Sequence, residues 1–132
     1  MKVKLIKKAD STLTKLLTEK EGYHPSFLKD DKRNYLDNIP LSIPKAFILA
    51  NLSCKKFKIK KIPEIRFIIV STEKYPDGFA FREVNKIFLT RHSVHSFLTT
   101  LSAFISPNNM ECVYNKLLCM WKEKESENWK LN

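Results

Sequence analysis

At 132 residues, with 43% hydrophobic and 29% charged side chains, the chain has material for one core and is expected to form a single compact domain over residues 1–132. Twenty-four lysines and arginines against 14 acids leave a formal charge of +10, which favours polyanions, nucleic acid before an acidic protein surface. Apolar runs such as AFILA are too short for a bilayer span, MKVKLIKKAD lacks the apolar segment and cleavage site of a signal peptide, and three cysteines fit neither a disulfide framework nor paired CxxC metal motifs. A reducing compartment is expected, the cytoplasm or, for a eukaryotic or viral protein, the nucleus.

MKVKLIKK alternates Val3 and Leu5 with Lys2 and Lys4, as a short strand does. DSTLTKLLTEKEG reads as a helix capped by Asp10 or Ser11 and stopped at Gly22. A weaker helix is expected from Ser26 to Asn38, ended by Pro40. IPKAFILANLSC, with residues 46–54 at its centre, is left open between buried strand and short helix, because periodicity does not separate the two. KKFKIKKIP alternates Phe57 and Ile59 with Lys56, Lys58 and Lys60, and predicts a strand with one cationic face. EIRFIIVSTEK, rich in β-branched residues, predicts a central strand, and YPDG a turn. FAFREVNKIFLT is then one long strand or two joined near Asn85 and Lys86. Val94, Phe97, Leu98, Leu101, Phe104 and Ile105 lie on one face of a helix from Ser93 to Ile105, SPNN breaks it, and a last helix runs from Asn109 to Glu125. The fold class is therefore α+β: a small antiparallel sheet of three to five strands, packed against N-terminal helices and a C-terminal helical pair.

Candidate chemistry centres on TRHSVHSF. Arg91 with His92 or His95 could serve acid–base cleavage of RNA, the arginine steadying a phosphate. Two histidines on one helix, however, do not straddle a scissile bond. Helical projection puts His92 on the wet face and Arg91 and His95 at the stripe's edge, while His92 or Ser93 is placed to cap the helix. No metal or cofactor is expected: HExxH is missing, Cys54, Cys112, Cys119 and His24 are scattered, and two isolated glycines make no phosphate loop. No GxSxG marks a hydrolase. Asp30, Asp31, Asp37 and Glu64 read as solvated acids. Cys112 and Cys119, seven apart, project opposite the stripe of the last helix and suggest a contact face there for a partner or a homodimer mate.

The basic residues give the leading expectation. Only Arg33, Arg66, Arg82 and Arg91 are arginine, so phosphate contact by lysine is favoured over base reading. Lys2, Lys4, Lys55, Lys56, Lys58, Lys60 and Lys61, with Arg82 and Arg91, form the candidate nucleic-acid-binding set, with Phe79 and Phe81 adding stacking surface on the same sheet. The expected function is non-enzymatic binding of RNA or DNA backbone. Two alternatives stand beside it: an interaction or inhibitor module of a virus or mobile element docking on an acidic protein, and a metal-independent, toxin-type endoribonuclease using His95 or His92 with Arg91.

Overall fold

The β-branched and aromatic runs of the chain become four short strands: β1 (Val3–Ile6), β2 (Glu64–Ile68), β3 (Gly78–Phe81) and β4 (Lys86–Leu89). Among the described residues three α-helices accompany them: α1 (Ile43–Lys56), α2 (Val94–Ile105) and α3 (Met110–Ser126). These come from a computed structural model, which describes residues 3–6, 34–69 and 76–130. The expected helix from residue 10 to 22 and most of that from 26 to 38 lie outside the described residues, as does Lys2. The last part of the second is a 3-10 turn, Asn34–Asn38. The protein is α+β, with a four-stranded sheet and a C-terminal helical pair.

The strand order is β1-β2-β4-β3, and the sheet is mixed rather than wholly antiparallel. β2 pairs parallel with β1 and with β4, and only β3 and β4 run antiparallel. The reason lies in where the hairpin forms. β3 lies at the outer edge of the sheet, the chain turns at Arg82–Asn85, and β4 follows, lying between β3 and β2. The split of FAFREVNKIFLT at Asn85 follows, since Asn85 adopts φ 55°, a left-handed conformation that asparagine tolerates better than most residues. β2 is flanked on both sides, and its Ile65, Phe67 and Ile68 are buried while Glu64 and Arg66 pair with each other.

IPKAFILANLSC is helix. Ser42 caps it, its Oγ accepting from Lys45 N, and Pro44 sits in the first turn, where its missing N–H costs no hydrogen bond. KKFKIKK is not a strand. Lys55 and Lys56 end α1, and the chain leaves it through a pair of helix-closing bonds, Ile59 N to Cys54 O (2.8 Å) and Lys58 N to Lys55 O (3.3 Å). This is the Schellman arrangement, with Lys58 at φ 58° where glycine is usual. The neighbouring strand β2 is already paired on both sides, with β1 and with β4. Its alternation reflects Phe57 and Ile59 packing on the core while the lysines face water.

α2 crosses one face of the sheet and is buried on every side, not along one stripe. Ser96, Thr99, Thr100 and Ser102 are as hidden as its apolar residues. Their hydroxyls are satisfied locally: Thr99 donates to His95 O, Thr100 to Ser96 O and Ser102 to Thr99 O, each at 2.7 Å. α3 packs outside α2 through Met110, Val113, Tyr114, Leu117 and Trp121. Lys45 at the start of α1 bonds Glu125 at the end of α3 (2.9 Å), so these helices run antiparallel, and that ammonium holds the Glu125 carboxyl below its usual range. The opposite face of the sheet is not a cationic surface. Ile68, Phe79, Phe81 and Phe88 form a second buried cluster, with Phe81 edge-on to Phe88. Phe79 and Phe81 are therefore core, unavailable for stacking on bases.

Gly78 marks a close approach of α2 to the sheet, since a Cβ there would overlap Thr100 Oγ1. Gly78→Ala is expected to cost about 1–3 kcal/mol through overpacking, read as a lower urea midpoint. A second change, Thr100→Ala, should recover part of that loss by removing the clashing oxygen.

Candidate nucleic-acid interface

The described structure has two contrasting ends. At the carboxyl ends of β2 and β4, TRHSVHSF is a junction in which the polar groups find protein partners. Thr90 and Arg91 amides donate to Asp77 O, and the Thr90 hydroxyl donates to Pro76 O. Arg91 pairs with Asp37, Nε to Oδ2 at 2.9 Å. His92 precedes the helix and does not lie on a wet helical face. Its Nε2 reaches Ile68 O (3.0 Å) and Leu89 O (3.2 Å), and its ring stands edge-on to Phe67. Both partners are carbonyls, so Nε2 carries the proton. Ser93 is the cap of α2, as the residue type indicates: its Oγ accepts from Ser96 N (3.1 Å) and donates to Asp37 Oδ1 (2.6 Å). Asp37 is thus no solvated helix-face acid. His95 is half-buried and shares a 2.8 Å hydrogen bond between Nδ1 and the Tyr114 hydroxyl. The two imidazoles are engaged with different partners.

At the amino ends of the same strands the chemistry is reversed. An open groove of about 500 Å³ is lined by Lys58, Ile59, Lys60, Lys61, Arg82, Asn85 and Phe104. Lys58 to Lys61 arrive on the exit from α1, Arg82 and Asn85 on the β3–β4 turn, and Phe104 on the last turn of α2. Asn85 fastens the walls together: its Nδ2 donates to Ile62 O (3.0 Å) and its carbonyl accepts from Glu64 N (2.9 Å). No lining residue is acidic, and among the described residues no carboxylate pairs with Lys58, Lys60, Lys61 or Arg82. Unpaired like charges held together raise the local potential and draw in anions.

The candidate binding set therefore divides. Lys58, Lys60, Lys61 and Arg82 converge on the groove. Lys55 and Lys56 are exposed on the adjoining last turn of α1, where they also complement the negative helix terminus. Lys4 is exposed on edge strand β1 and outside the lining, and Arg91 lies at the far end of the sheet. Sequence reasoning missed Asn85 and Phe104. An asparagine between two strand-like runs is a usable signal for the first; Phe104 has none beyond its place in an apolar stripe. Among the described residues no group of three or more His, Cys, Asp or Glu side chains converges, and no helix is long and apolar enough to cross a membrane. Comparison of the chain with known protein families, curated proteins and solved structures finds no match. What the fold and the groove define is a small basic α+β domain in which, among the described residues, four cations line one groove.

The cysteines divide as well. Cys112 and Cys119 are exposed on the outer face of α3, whereas burial pushes the Cys54 thiol up from 9.0 to about 11. A thiol-reactive disulfide reagent should therefore titrate two of the three cysteines rapidly in the native protein, and Cys54 only on unfolding. The Cys54 contribution to stability is fully present below pH 9.0 and is lost as pH rises towards about 11, because there the unfolded chain releases a proton that the folded one retains.

Proposed function

We propose that this protein is a non-enzymatic nucleic-acid-binding domain that holds phosphate backbone electrostatically in the groove formed by Lys58, Lys60, Lys61 and Arg82. The observation that carries the reading is the convergence of four cations from two separate chain segments on one groove with no acid in its lining. A charge excess spread for solubility alone has no reason to collect in a concavity. Lys58 adds a second argument. It occupies a left-handed position where glycine would be free of strain, at a cost of about 1–2 kcal/mol. A residue kept against its backbone preference points to a use for its side chain. An acidic protein surface would also answer to these charges, but a lysine-rich groove flanked by Lys55 and Lys56 suits the continuous charge of a polynucleotide.

The test is fluorescence anisotropy with labelled RNA and DNA over a salt series. Four neutralised phosphates on a single strand predict a log–log slope of about −3, or roughly a 50-fold loss of affinity between about 50 and 200 mM salt. Replacing Lys58, Lys60 and Lys61 by glutamine should flatten that slope by about two units while leaving the urea midpoint nearly unchanged. Binding that ignores these replacements would overturn the proposal. Lys58→Gly separates fold from function: relief of the left-handed strain should raise stability by about 1 kcal/mol, while affinity falls a few-fold.

A further inference from the structure

Resting on that reading, we infer that the groove selects single-stranded over duplex nucleic acid, with the Arg82 guanidinium stacking one unpaired base. Arg82 is the exposed arginine of the β3–β4 turn, and its Cζ lies over the ring of buried Phe104, 6.0 Å from the centroid. The guanidinium thus lies within cation–π reach of one ring, on an exposed residue that lines the groove. A planar, weakly hydrated cation of this kind offers its free face to another flat π-system, which a lysine ammonium does not. Ile59 adds apolar surface beside Lys58 and Lys60, so base and phosphate of one nucleotide would meet matching surfaces side by side. The groove, about 500 Å³, has the scale of a small-molecule pocket and not of a surface that cradles a double helix.

A duplex keeps its base faces stacked inside and offers Arg82 only phosphates, whereas a single strand offers both. The β3–β4 turn that carries Arg82 is held to the groove wall by Asn85, whose Nδ2 donates to Ile62 O. Selectivity then arises from Arg82, while the lysines contribute equally to every polyanion.

The experiment compares a labelled single strand, as RNA and as DNA of the same length, with the matching duplex, for the native protein and for Arg82→Lys. The substitution retains the charge and removes the stacking plane. Tighter binding of the single strands, a loss of roughly ten-fold for them in Arg82→Lys, an unchanged salt slope and an unchanged duplex affinity are expected. A loss for RNA alone or for DNA alone would support the same role and tell which strand is the ligand. Duplex bound as tightly as single strand, or Arg82→Lys binding as the native protein does, overturns the single-strand inference and leaves the electrostatic reading standing. Failure of every probe to bind at low salt would remove both. Lys58→Gln serves as the control, since it should flatten the slope without changing the preference for single strands.

Discussion

The arrangement at the start of α2 is the constraint on which the rest depends. A helix buried on all sides cannot leave its first amides unpaired, because water does not reach them. Here Ser93 Oγ takes the Ser96 amide and Val94 N–H is taken by Ile39 O, while Asp37 places negative charge at the positive end of the helix. The same short stretch holds Arg91 to Asp37, His92 to the ends of β2 and β4, and Leu41 N to His92 O. One polar junction therefore fixes the sheet, the 3-10 turn, the entry to α1 and the axis of α2. Of the two histidines that stand out in the sequence, His92 is a cross-link in it and His95 instead joins α2 to Tyr114 of α3.

Because α2 is a rigid rod of 12 residues, roughly 18 Å long at 1.5 Å per residue, fixing one end also places the other. Phe104, on its last turn, is carried to the amino ends of the strands, where the exit from α1 and the β3–β4 turn also arrive. The groove is thus a product of the topology. β2 and β4 are parallel neighbours, so the segments that precede them, Lys58–Lys61 and Arg82–Asn85, fall at the same end of the sheet. An antiparallel pairing of those two strands would have put the two sets of cations at opposite ends and left no concentrated site.

That dependence explains what the sequence did and did not disclose. Residue types narrow the cap of α2 to His92 or Ser93 and leave FAFREVNKIFLT open between one strand and two, while some local signals were legible, namely the apolar stripe of α3 and the central character of β2. Partner choice between strands was not, since it is settled by long-range packing and the crossing connection after β2. KKFKIKK misled for a specific reason, namely that a helix exit with alternating core contacts has the same period as a strand. The full burial of α2 did leave a trace: from Val94 to Ile105 there is no Asp, Glu, Lys or Arg, a stretch no solvent-facing helix would be expected to keep free of charge. The lysines of the site were legible as charges, yet their meeting with Arg82 could be foreseen only with the strand order in hand.

The distribution of partners among the basic residues separates structural from available charge. Arg91, Arg66, Lys45 and Lys124 each have a carboxylate, from Asp37, Glu64, Glu125 and Glu127. Such surface pairs contribute little to stability, so their effect is chiefly to neutralise. Where they occur, the surface is compensated; at the groove it is not. Keeping Lys58, Lys60, Lys61 and Arg82 together opposes folding through mutual repulsion, and Lys58 adds backbone strain in the same place. Both costs fall on one site, and a phosphate chain relieves the repulsion directly. The polar groups at the other end of the sheet are densely satisfied by protein partners, so the two ends differ in how much of their charge is compensated.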